Sequence, residues 1–187
     1  RQSPAARRRV ATSRSRPNAA TNGPRLGSGA PRPHDATPAQ LVATLEHPNG
    51  WWRDTAQRLL VLRRDNAVVP ALTKMTRTHK NYLARLHALW TLEGIEAVTP
   101  DLLREKFKDP HPQVRSAAIR VSESLHKKGD LSFLPDVQAL ASDPDPTVAQ
   151  QSLLTIKLLK QKDWQIFAQN VVMKSKFRGV QEIGKQL

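Results

Sequence analysis

From Thr37 onward, apolar residues recur at the spacing of helices, not strands. Four segments can be laid over one another: Trp52-Arg53-Asp54-Thr55-Ala56, Ala84-Arg85-Leu86-His87-Ala88, Val114-Arg115-Ser116-Ala117-Ala118 and Val148-Ala149-Gln150-Gln151-Ser152, at offsets of 32, 30 and 34 residues. The first column holds Trp52, Ala84, Val114 and Val148. Four residues on, the column is small (Ala56, Ala88, Ala118, Ser152), and four further it is mostly apolar (Leu60, Leu92, Ser122, Ile156). A stripe at i, i+4 and i+8 with small residues at its centre is one face of a helix packed closely against another. A second set of helices precedes these. Pro38, Pro70, Pro100 and Pro135 mark their starts at spacings of 32, 30 and 35 residues, with Leu41, Leu72, Leu102 and Val137 just inside.

The boundaries carry their own chemistry. Thr37-Pro38-Ala39-Gln40 is a capping box with proline at the first helical position, and Thr99-Pro100 and Asp145-Pro146 are similar starts. The turns "DPHP" (Asp109–Pro112) and "DPDP" (Asp143–Pro146) place prolines where the chain leaves one helix and begins the next. β-branched residues do not form alternating runs bounded by turns, so the expected class is all-α. Two independent column sets sharing one period predict an α-solenoid of about four helical pairs over residues 37–162. Residues 163–187 are expected to hold one further helix, around Trp164–Met173, and then a basic linker.

Composition divides the chain at its other end. Residues 1–36 hold eight arginines, five prolines, three glycines and one acidic residue, Asp35, and their apolar content is almost all alanine. Such a segment has no core to offset the entropy of ordering, and a disordered arm is expected. Its charge of +7 is half of the net +14; residues 37–187 contribute the rest from 22 basic and 15 acidic side chains. An arm of this kind suits a solvated linker, a transit peptide or a nucleic-acid-binding tail. The chain begins at Arg1 without a methionine, which leads to the expectation of a processed chain or a fragment. No apolar run approaches the roughly 18 residues a membrane span needs.

Candidate chemistry changes this picture little. The chain has no cysteine, which excludes disulfides, thiolate metal sites, thiol nucleophiles and covalent haem attachment in this sequence. Its six histidines never pair at i, i+4, no H-E-x-x-H occurs, and no glycine-rich phosphate loop is present. No catalytic, metal-binding or cofactor-binding residue is assigned, and His87 is read as a hydrogen-bonded structural residue. The candidate interaction surface is Trp51, Arg53, Arg85 and Arg115. Trp51 aligns with Leu83 and Gln113 and is free either to pack or to stack on a partner. The three arginines stand one residue past the core column, where they hydrogen-bond loop carbonyls or turn aspartates, or else face phosphates along one surface. Trp52 is expected to fill space at the open end of the stack.

The D-P-x-P-x-V-R-x-x-A run at Asp109–Ala118 resembles HEAT repeats. The blocks "HPNGWWRDTAQRLL" and "LARLHALWTLEG" resemble the helical-repeat section of the large bacterial membrane-bound dehydrogenase family. Members of that family join a quinone-dependent propeller domain to HEAT repeats and a C-terminal cytochrome c domain. The closing "FRGVQEIGKQL" is similar to the lead-in before its haem-binding C-x-x-C-H segment. The resemblance implies a non-catalytic spacer, placed in the periplasm or at a bacterial membrane, whose partner is a protein or the neighbouring domains of one polypeptide. Haem c is then expected only in a C-terminal domain absent from this sequence. The alternative is a basic helical-repeat protein that binds nucleic acid or repairs DNA, similar to HEAT-like alkylpurine DNA glycosylases. Its net charge, arginine column and tryptophans favour that reading.

Overall fold

The computed structural model describes residues 33–184, and within them the chain is all-helical with no strand. The expectation of a disordered arm falls almost wholly outside the described residues. Only 33–36 of that segment are described, and these are held: Arg63 donates from Nη1 to Ala36 O at 2.6 Å and from Nη2 to His34 O at 2.8 Å.

Ten α-helices follow one another: α1 (Pro38–Thr44), α2 (Gly50–Arg63), α3 (Val69–Thr78), α4 (Tyr82–Gly94), α5 (Pro100–Lys106), α6 (Pro112–Lys127), α7 (Leu134–Ala139), α8 (Pro146–Leu159), α9 (Trp164–Lys174) and α10 (Arg178–Gly184). Short 3₁₀ turns at Asn66–Val68 and Leu140–Ser142 lead into α3 and out of α7. The starts are set by side chains that satisfy the free N–H groups of a first turn. Thr37 and Gln40 form a reciprocal capping box on α1, with Gln40 N donating to Thr37 Oγ1 at 3.3 Å and Thr37 N to Gln40 Oε1 at 2.8 Å. Thr99 caps α5 by accepting from Leu102 N.

The ends of the longer helices share another device. Just past α2, α4, α6 and α8 the backbone turns left-handed, at Arg64 (φ 49°), Glu96 (φ 63°), Gly129 (φ 85°) and Lys160 (φ 46°). Only one of the four is the glycine that this conformation favours.

The stripe read from the sequence is the packed one. Ala84, Val114 and Val148 are fully buried, as are Ala56, Ala88, Ala118 and Ser152 and, a turn further, Leu60, Leu92, Ser122 and Ile156. Trp52 is half-buried. Alanine at the centre lets two backbones approach, so α2 lies against α4, α4 against α6, and α6 against α8. Each of these helices also packs on the shorter one before it, through Leu41, Leu72, Leu102 and Val137. The two buried hydroxyls in the stripe are satisfied: Ser122 Oγ donates to Ile119 O and Ser152 Oγ to Val137 O, each at 2.6 Å.

The C-terminal stretch departs from the expected linker. After α9, α10 packs on both α8 and α9, burying Val180 against a small second core of Ala141, Ala149, Leu153 and Ala168. Close approach makes this possible. A Cβ at Gly184 would stand 2.3 Å from Val172 Cγ1, so α10 reaches α9 only because that position has no side chain.

Candidate interaction surface

The loops that lead into α2, α4, α6 and α8 read His47-Pro48-Asn49-Gly50, His79-Lys80-Asn81-Tyr82, Asp109-Pro110-His111-Pro112 and Asp143-Pro144-Asp145-Pro146. They are built to one plan. The first side chain in each accepts the N–H of the third residue: His47 Nδ1 from Asn49 N at 3.0 Å, His79 Nδ1 from Asn81 N at 3.1 Å, Asp109 Oδ1 from His111 N at 3.0 Å, and Asp143 Oδ1 from Asp145 N at 2.8 Å. In three of the four, the third side chain then caps the helix, with Asn49, Asn81 and Asp145 accepting from Trp51 N, Leu83 N and Thr147 N at 2.9 Å. His111 makes no such cap and instead stacks flat on Tyr82, with ring centroids 3.6 Å apart and planes 3° from parallel.

Six residues after each loop begins stands the arginine column. Nη1 of each arginine returns to its own loop. Arg53 donates to His47 O and Pro48 O at 2.6 and 2.9 Å, Arg85 to His79 O and Lys80 O at 2.8 and 3.1 Å, and Arg115 to Asp109 O and Pro110 O at 2.9 and 3.4 Å. The opposite edge, Nε and Nη2, reaches the first residue of the following loop. Arg85 grips Asp109 with both nitrogens at 2.9 and 2.7 Å, and Arg115 grips Asp143 at 2.9 and 2.8 Å. A planar fork on a planar carboxylate is the strongest form of this contact. Arg53 has no such rung, because the following loop begins with His79, whose Nε2 instead meets Glu46 Oε2 at 2.7 Å. The fourth position of the column is Ala149.

Electrostatics around the rungs follow from burial. Arg85, Asp109 and Lys106 are all buried, and Lys106 Nζ donates to Thr76 O at 2.8 Å while lying 3.7 Å from Asp109 Oδ2. Burial pushes the Asp109 carboxyl up, but the hydrogen bonds from Arg85 and His111 N–H and the nearby cations outweigh it, leaving it below the ordinary carboxylate range. Lys106 is lowered, first by burial, with Asp109 opposing. Arg115 is raised by its hydrogen bond to Asp143. His87 on α4 is lowered, by burial first and by the Arg53 charge second; its Nδ1 lies 2.8 Å from Gln57 Oε1.

The four residues singled out from the sequence therefore stand differently. Arg85 and Arg115 are bound by the protein on both edges and Arg53 on one. Trp51 is half in solvent, 51% exposed, and meets Trp52 edge to face at 5.1 Å. The loop histidines, the Tyr82–His111 stack and the Lys106–Asp109 pair went unassigned from sequence. Aligning the loops at the offsets of the arginine column is the signal that finds the loop histidines; the other two pairings are tertiary. Beside the fourth loop, a cleft of about 400 Å³ is lined by Asp143, Phe167, Asn170, Lys174 and Phe177 among others. Among the described residues, no three His, Asp or Glu side chains lie close enough to hold a metal ion, and no helix is long and apolar enough to cross a membrane. Neither a family model nor a curated protein matches this chain.

Proposed function

We propose that α1–α8 form a HEAT-type solenoid of four helical pairs that works as a non-catalytic scaffold, the spacer section of a membrane-bound dehydrogenase with a cytochrome c domain. The observation that carries this reading is the loop plan repeated four times, with Arg85 tying the second loop to the third and Arg115 the third to the fourth. Polar side chains used in this way fix the spacing of successive units, which is what a rigid connector between two domains requires. The resemblance of "HPNGWWRDTAQRLL" and "LARLHALWTLEG" supplies the identity of those domains: a propeller on one side and a haem-bearing domain on the other. The partner is then a protein surface, whether neighbouring domains or a separate chain, in the periplasm or at the membrane. The test is the coding sequence on either side of this chain. A propeller upstream and a C-x-x-C-H segment downstream are expected; a reading frame with neither would overturn the dehydrogenase assignment.

The second reading, a nucleic-acid-binding or DNA-repair protein, is favoured by the net charge of +14 and the exposed indole of Trp51. A salt titration of the full chain against duplex DNA separates the two. Binding by arm electrostatics alone falls steeply with salt and disappears at moderate ionic strength. Tight binding that persists there would favour the second reading.

A further inference from the structure

A fifth loop follows the plan of the other four. Ser175-Lys176-Phe177-Arg178 leads into α10 and begins 32 residues after Asp143. Its first side chain again accepts the N–H of the third residue, Ser175 Oγ from Phe177 N at 3.2 Å. Six residues after the loop begins, Gln181 stands at the arginine position and returns to its own loop, its Nε2 donating to Ser175 O at 2.8 Å. Val180 falls in the buried apolar column and Gly184 in the small one. The fifth unit lacks the rung that fastens the third loop to the second and the fourth to the third. Ala149 replaces the arginine that would reach across, and Ser175 replaces the aspartate that would receive it. The cleft of about 400 Å³ opens at this joint, lined by Ser142 and Asp143 of the fourth loop, by Ser175, Lys176 and Phe177 of the fifth, and by α9. That volume lies within the roughly 300–1,000 Å³ of pockets that hold ligands.

We propose that this cleft is a docking site for a short acidic and apolar segment of a protein partner. An apolar side chain enters against Phe167, Val171 and Phe177, and a neighbouring carboxylate meets Lys174 and Lys176. The three apolar residues are half-buried and pack on the small core that holds Ala141 and Ala149. The polar side of the lining is one-sided in charge. Asn170, Lys174 and Lys176 are exposed, and neither Asn170 nor Lys174 has a hydrogen bond or ion pair with another described residue. Lys176 Nζ stands 5.5 Å from the centre of the Phe177 ring. The one carboxylate in the lining, Asp143, is already taken by Arg115 and by Asp145 N–H. Two cations beside an apolar recess complement an anion that carries an apolar body. A recess walled by half-buried rings receives an inserted side chain, whereas a run of stacked bases needs open ring faces. The site stands on the geometry of the joint, and only the protein origin of its occupant rests on the scaffold reading.

Backbone amide NMR of the ¹⁵N-labelled full chain tests this, with acetyl-Asp-Phe-Leu-Asp-amide as the probe. Saturable shifts are expected at Ser142, Asn170, Lys174 and Phe177. The neutral analogue acetyl-Asn-Phe-Leu-Asn-amide is expected to bind the same amides about fivefold more weakly, as the loss of two exposed ion pairs implies. Acetyl-Asp-Ser-Ser-Asp-amide, which has no apolar side chain, is expected to give no saturable shift. Lys174→Glu with Lys176→Glu, both on exposed positions, should reverse the preference between the acidic and neutral peptides. Asn170→Trp places a large side chain at the mouth of the cleft and should abolish binding. Shifts confined to another surface, equal affinity for the acidic and neutral peptides, or undiminished binding by a folded Asn170→Trp chain would each overturn the proposal. A single-stranded oligothymidine that moves the same amides at lower concentration than the acidic peptide would overturn the protein origin and the scaffold reading together. No saturable shift with any probe would overturn the site alone, since the scaffold reading is tested separately by the flanking coding sequence.

Discussion

At the scale of residues, one arginine position serves two ends at once. Nη1 closes the loop that precedes its helix and the opposite edge fastens the next loop, so a single side chain links local structure to long-range packing. The column of Arg53, Arg85 and Arg115 was legible from offsets alone. Its contacts with loop carbonyls and turn aspartates were one of two readings the sequence offered; which carboxylate lies across from each fork was not legible, because Asp109 and Asp143 become partners only once the loops lie side by side. His87 shows the other limit. Its role as a hydrogen-bonded residue could be read from a packed helix, but its depressed basicity comes from burial and from Arg53, which is remote in sequence. The sign of the consequence is fixed. A histidine whose folded pKa lies below its unfolded value of about 6.5 binds more protons when unfolded. Its share of stability is present above that value and is lost as pH falls from about 6.5 through the folded pKa. Urea unfolding between pH 7 and pH 5 should therefore show stability falling with pH, and His87→Gln should flatten that dependence. An unchanged slope in the variant would contradict the assignment. The depressed carboxyl of Asp109 acts in a lower window, losing its contribution below about pH 4.

At the scale of elements, helix starts were easier to read than helix ends. Prolines and capping residues announce a start within four residues, as Thr37 and Gln40 do, because the chemistry of a first turn is local. The ends of α2, α4 and α8 rest on left-handed residues that are arginine, glutamate and lysine, and nothing in those side chains signals the conformation. Replacing Lys160 with glycine removes the steric cost of φ 46° and should stabilise the protein by about 0.5–1 kcal/mol, measurable as a higher urea midpoint. A lower midpoint would mean that Lys160 makes a compensating contact. α10 escaped notice for a different reason. Seven residues give too short a window for a periodic stripe, and what fixes the helix is tertiary: Val180 in the small second core and the bare Cα of Gly184 against Val172.

For the whole molecule, the repeat of the stripe and the repeat of the loops are two views of the same regularity, and only the first was visible as a pattern of apolar positions. Charged side chains at the loops look like solvated surface in a sequence, yet Arg85, Lys106 and Asp109 are interior. A buried pair is a weak source of net stability compared with a well-packed apolar substitute, but breaking one partner leaves the other charge stranded. The rungs thus act chiefly to fix how the third loop sits on the second and the fourth on the third, and the claim that units are joined in this way is the one on which the scaffold reading depends. A double-mutant cycle on Arg85→Met and Asp109→Asn, followed by urea unfolding, measures it directly. Each single change should cost about 3–5 kcal/mol, and the pair should cost less than their sum by about 2 kcal/mol or more. Costs that simply add, to within about 0.5 kcal/mol, would show that the two side chains do not hold the loops together.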